Sequence, residues 1–103
     1  MTGLDLDTAH LAQVLDILQA HLPGVEVWAF GSRVNGHAKP YSNLDLALLT
    51  QAPLGLGTLA DLRDAFDTSD LPMRVDLVDW AATSASFRAL IQRHHLRLTS
   101  EAP

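Results

Sequence analysis

The chain has 103 residues, room for one domain spanning 1–103 around a modest core, and its 48% hydrophobic share is ordinary for a globular protein. Seven basic residues against twelve acidic ones leave a formal charge of −5, which argues against general electrostatic attraction to nucleic acid. Cysteine is absent, which excludes disulfides, thiolate nucleophiles and cysteine-ligated zinc together. No basic-then-apolar leader and no apolar run of about 20 residues is present, so a cytoplasmic protein that does not cross a membrane is expected.

Leu11, Val14, Leu15, Leu18 and Leu22 recur at helical spacing, predicting an amphipathic helix from about Thr8 to His21 that Pro23-Gly24 stops. Val25 to Phe30 is short, β-branched and aromatic, a buried strand ending at Gly31, with a brief helical turn over residues 32 to 36. Leu44, Leu46 and Leu48 alternate with Asn43, Asp45 and Ala47, which predicts a strand with leucines on one face and polar groups on the other. Gln51 to Thr58 reads as a surface loop, with Gly55-Leu56-Gly57 as its punctuation. Leu59, Leu62 and Phe66 suit a helix over Thr58 to Phe66, with Thr58 as N-cap. Arg74 to Trp80 alternates again, Val75 and Leu77 opposite Asp76 and Val78, and Phe87, Leu90, Ile91, His94 and Leu98 predict a last helix. The expected architecture is a small α/β (α+β) domain: a mixed sheet of three or four strands, helices on one face and the site on the other.

The segment from Gly31 to Leu46 carries the chemistry. A glycine-bounded turn at a helix start offers backbone N–H groups and the Ser32 hydroxyl to phosphate oxygens. Asn43 and Asp45, two apart on a strand, point the same way and can converge on a cation. Each also has a plainer reading: Gly31 and Gly36 as turn formers, Ser32 as an N-cap, Asn43 as an Asx-turn residue, Asp45 and Asp76 as strand-end carboxylates. Arg33 and Lys39 read either as phosphate-neutralising cations or as flexible surface charges. Asp79 falls on the face opposite Asp76, at a strand end. His94-His95 reads as helix surface or core, Arg88, Arg93 and Arg97 as a solvated helix face or a partner surface, and Trp28 and Trp80 as core or core-edge aromatics.

Gly31-Ser32, ten intervening residues, then Asn43-Leu44-Asp45, with Asp76 on a later strand, resembles the nucleotidyltransferase superfamily of DNA polymerase β, and within it the minimal nucleotidyltransferases (MNT). That family's pattern is Gly-Ser, ten residues, then Asp-x-Asp, with a third Asp later; here Asn43 stands at the first Asp. The resemblance implies a polymerase β-like fold and Mg2+-dependent transfer of AMP from ATP to a hydroxyl. Asp45 and Asp76 become the catalytic carboxylates, Asn43, Asp45 and Asp76 the metal ligands, and Gly31 and Ser32 the holders of the β- and γ-phosphates. Minimal members are often antitoxins that modify a helical HEPN-type toxin, so such a partner is implied; the oligomeric state is open, an oligomer included. Asn43 keeps an amide oxygen for a cation but removes one negative charge, which weakens a divalent site. The alternative is therefore a catalytically weak or inactive nucleotide- or partner-binding antitoxin module.

Overall fold

In the computed structural model, which describes residues 3–99, α1 runs from Thr8 to His21. Asp7 caps it, accepting from the Ala9 N–H at 2.8 Å and so satisfying one of the orphan donors of the first turn. Strand β1 is Val27–Phe30, α2 is the single turn Ser32–Asn35, and β2 is Leu44–Leu48. Helix α3 covers Leu56–Asp67, β3 covers Val75–Asp79, and a 3₁₀ turn over Trp80–Ala82 leads to α4, Ala85–Arg93. Strand β4, His95–Thr99, completes a four-stranded sheet in the order β3-β2-β1-β4.

The sheet is mixed. Strand β2 pairs antiparallel with β1 and parallel with β3, α3 serving as the crossover that parallel pairing requires, and β4 runs antiparallel to the far side of β1. Period two then separates the faces. Leu44, Leu46 and Leu48 are 0% exposed and pack with Val27, Ala29 and Val75 beneath Val14, Leu18 and Leu22 of the α1 region and Leu62 and Phe66 of α3. Each such leucine contributes about 1.5–3 kcal/mol by leaving water, enough to fix which face of β2 looks inward.

The opposite face carries Asp45, Trp28 and Phe30. Phe87 of α4 meets Phe30 edge-on at 5.9 Å, and Trp80 meets Trp28 edge-on at 5.4 Å. His95 stacks on Trp28 with ring centroids 3.8 Å apart. Trp28 and Trp80 are thus half-buried, core-edge aromatics on the face that carries Asp45.

Three local expectations are corrected. Helix α3 begins at Leu56 with Gly55 at its N-cap and no side-chain cap, so Thr58 lies inside the helix and the loop is shorter than expected. The helix expected over Phe87 to Leu98 ends at Arg93, and its second half is strand β4, because Leu96 and Leu98 alternate with His95, Arg97 and Thr99. His94 caps α4 and His95 opens β4, so neither belongs to a helix face. Arg88 and Arg97 accordingly sit on different elements, and Arg88 donates to the Trp80 carbonyl at 2.9 and 2.6 Å while lying over the Trp80 ring. No helix among the described residues is long and apolar enough to cross a membrane.

Candidate functional site

The site is built by register. Phe30 opposes Asp45 across the antiparallel pair, and Asp45 opposes Asp76 across the parallel one. Directly opposed residues share a face, so the end of β1 and two carboxylates fall in a row. Gly31 follows Phe30 with φ 81° and ψ −154°, a conformation essentially confined to glycine. A Cβ there would stand 3.2 Å from the Asp45 carboxyl carbon and closer still to one of its oxygens. Gly31 therefore both turns the chain and leaves the space that the Asp45 carboxylate occupies.

Among the described residues no hydrogen-bond donor reaches the Asp45 carboxylate, and none engages the Ser32 hydroxyl. Asp45 is about half buried, and its pKa is raised above 3.8, first by burial and then by the neighbouring Asp76 charge. Asp76 has two partners: it accepts from Asn43 Nδ2 at 2.8 Å and from Arg74 Nε at 3.1 Å. Asn43, Asp45 and Asp76 are thus brought together beside Gly31 and Ser32.

Their donor set fits a hard divalent cation. Two adjacent carboxylates, one without a partner and destabilised by its neighbour's charge, are what a bound cation would relieve, and magnesium commonly uses one or two carboxylates together with water and phosphate oxygens. Among the described residues no group of three His, Cys, Asp or Glu side chains gathers as a metal site, so the Asn43 amide is the third oxygen source. Its donor now faces Asp76; ligation needs the amide turned so that its oxygen faces the cation.

Other residues take structural roles. Arg33, expected either to neutralise phosphate or to lie at the surface, does neither: it is 6% exposed and donates to three carbonyls, Asp5 at 2.8 Å, Ser42 at 3.0 Å and Pro40 at 3.1 Å. The Asp5 N–H returns a bond to the Arg33 carbonyl at 2.7 Å. This guanidinium fastens the loop that delivers Asn43 to β2 and is not turned towards phosphate. Lys39 stays exposed, its N–H donating to the Ser42 hydroxyl at 2.8 Å. Asp79 accepts from the Thr50 hydroxyl and from the Leu54 N–H, the latter at 2.8 Å, and so fixes the β2–α3 connection. Arg74 and Arg63, which sequence reasoning did not single out, line an open groove of about 560 Å³ with Asp67, Val75, Asp76 and Leu77. The position of Arg74 two residues before Asp76 was the available signal, since i and i+2 share a strand face.

Comparison with known proteins follows the same residues. The family described as "Polymerase beta, Nucleotidyltransferase" matches residues 12–102. A Haemophilus influenzae protein described as a probable protein adenylyltransferase MntA is 52% identical over 90 residues, covering 87% of this chain and 79% of its own. A crystal structure of a toxin–antitoxin with AMP-PNP superimposes with a TM-score of 0.74 at 23% identity, covering 87% of this chain and 73% of that one. A tri-AMPylated Shewanella oneidensis HEPN toxin in complex with MNT antitoxin gives 0.69 at 20% identity, covering 92% and 73%. Four strands in the expected mixed sheet, a family match across most of the chain and a relative 52% identical over 90 residues agree: the chain belongs to the minimal nucleotidyltransferases of the polymerase β family.

Proposed function

We propose that this protein is an Mg2+-dependent adenylyltransferase that moves AMP from ATP to a hydroxyl of a partner protein, a HEPN-type toxin that it restrains as an antitoxin. The observation that carries the reading is the pairing of Asp45 and Asp76 on adjacent strands, with Asp45 unpartnered beside the Gly31 turn. The Haemophilus relative described as a probable protein adenylyltransferase supports the reaction, and the toxin–antitoxin complexes among the structural neighbours support the partner.

In this reading Gly31 and Ser32 hold the β- and γ-phosphates, through backbone N–H groups and the free hydroxyl. Asp45 and Asp76, with the Asn43 oxygen, hold the cation, which when bound neutralises charge on the attacking and leaving oxygens. The acceptor oxygen attacks the α-phosphorus, the bond from that phosphorus to the bridging oxygen breaks, and pyrophosphate departs on the Gly31–Ser32 side. The hydroxyl proton passes to Asp76.

One observation favours a second reading, a module that neutralises its partner by contact alone. Asn43 Nδ2 already donates to Asp76 Oδ2, occupying a lone pair that ligation uses, and Asn43 supplies no charge of its own. Incubating the protein with labelled ATP, magnesium and the product of the adjacent gene separates the two. Label on that product, lost in Asp45→Asn, supports the transferase. Neutralisation that survives both Asp45→Asn and Asp76→Asn sinks it.

A further inference from the structure

Strand β3 is an edge of the sheet, and its backbone phase is fixed: the Leu44 N–H donates to the Arg74 carbonyl at 2.9 Å. In a parallel ladder alternate residues bond to one neighbour, so Asp76 and Val78 face β2, whereas Val75 and Leu77 turn their N–H and C=O groups to the open side. The groove beside Asp76 is lined by Arg74, which precedes β3, and by the first three β3 residues, Val75 to Leu77, together with Arg63 and Asp67 of α3, and it therefore follows that open edge.

Its position matches one role in the reaction. Strand order β1-β2-β3 sets Gly31 and Ser32 on one side of Asp45 and Asp76 on the other. In-line displacement with pyrophosphate leaving towards Gly31 brings the attacking hydroxyl in from the β3 side. Charge is also particular there. Of seven basic side chains in an acidic protein, Arg33 and Arg88 are committed to carbonyls, and two of the remaining five, Arg63 and Arg74, stand in this groove. Arg74 is 76% exposed at its side chain. A cation held by Asp76 would compete with this arginine for the carboxylate, leaving the guanidinium to an incoming carboxylate.

We propose that the acceptor is an extended segment of the partner that adds as a strand along the open edge of β3, with an acidic residue flanking its hydroxyl residue held by Arg63 and Arg74. Backbone bonds from Val75 and Leu77 supply the grip, and the arginines supply the choice. Asp67, on the groove wall, bounds the preference by repelling a segment with many carboxylates. The inference rests on the transferase reading for the direction of attack, but docking is measurable without chemistry.

The test uses the isotope-labelled full chain and two peptides of about eight residues, a strand's length, each with one hydroxyl residue, flanked in one by a glutamate and in the other by a lysine. The glutamate peptide is expected to shift the Val75 and Leu77 amides and slow their hydrogen exchange. N-methylation of the peptide residues facing β3 should abolish binding, while methylation at the alternate residues leaves it. Arg63→Glu with Arg74→Glu should weaken the glutamate peptide at least tenfold and make the lysine peptide the better ligand. Unmoved Val75 and Leu77 amides at about 1 mM peptide, or an unchanged preference after charge reversal, would overturn the docking. Labelled ATP and magnesium added to the wild type with the peptide separate the two readings: peptide binding without label transfer sinks the transferase and keeps the docking, whereas label transfer with Val75 and Leu77 undisturbed does the reverse.

Discussion

Gly31→Ala isolates the feature on which the site most depends. The φ of 81° with ψ of −154° lies where an L-residue costs on the order of 1–3 kcal/mol. The new methyl also enters the space of the Asp45 carboxylate, and turning that side-chain end aside costs about 0.5–1.5 kcal/mol more. Against this, alanine restricts the unfolded chain and returns about 0.4–1 kcal/mol. The net expectation is a loss of about 1–4 kcal/mol, which for a chain of this size lowers Tm by roughly 5–25 °C. Urea unfolding followed by circular dichroism measures it, and a cycle with Asp45→Ala divides it. In the Asp45→Ala background the carboxylate is gone, so only the backbone strain remains and the glycine substitution should cost about 0.5–1.5 kcal/mol less than in the wild type. A loss below about 0.5 kcal/mol would refute the strain; an additive cycle would refute the contact.

Asp45→Asn should stabilise the protein near neutral pH while abolishing transfer. Folding raises the Asp45 pKa above 3.8, so the folded chain holds this proton more tightly than the unfolded chain, and the carboxylate subtracts stability as pH rises from 3.8 through its folded value. The gain from Asn should therefore be full at neutral pH and vanish below 3.8, as denaturant midpoints across pH will show; a gain that grew towards acid would contradict the assignment. Asn43→Asp should cost about 1 kcal/mol without metal, by placing a third carboxylate beside two and removing a donor from Asp76, and magnesium should restore it and raise transfer about tenfold. Thermal shift with and without magnesium reads the first effect, and labelled ATP the second. Arg33→Met keeps most of the volume but orphans three carbonyls, and about 3 kcal/mol should be lost, with hydrogen exchange rising first at residues 39–43.

Much of the fold was legible because its signals are local. The leucine alternation of β2 and the 3.6-residue rhythm of α1 are each set by one buried face, and both elements stand where the pattern puts them. Strand β4 was not legible from that rhythm, because Leu90, Ile91, His94 and Leu98 satisfy a helix while the decision lies with β1, some seventy residues earlier. A pairing of that separation leaves no trace in a window of ten residues. The row of Gly31, Asn43, Asp45 and Asp76 was visible as spacing, and the register that makes neighbours of Asp45 and Asp76 is the structure's addition. Arg33 misled for a physical reason: a guanidinium that satisfies three carbonyls is indistinguishable in sequence from one that lies in water.

That arginine also bears on how ligands are met. By tying the N-terminal segment, the turn carrying Ser32 and the loop leading to Asn43 into one unit, it orders the floor of the site before any ligand arrives. A ligand landing on ordered backbone loses little of its binding free energy to arranging its host, so contacts here translate more directly into residence time. Adaptation is then left to what Arg33 does not hold: the Asn43 amide, the Arg74 side chain and whatever strand lies beside β3.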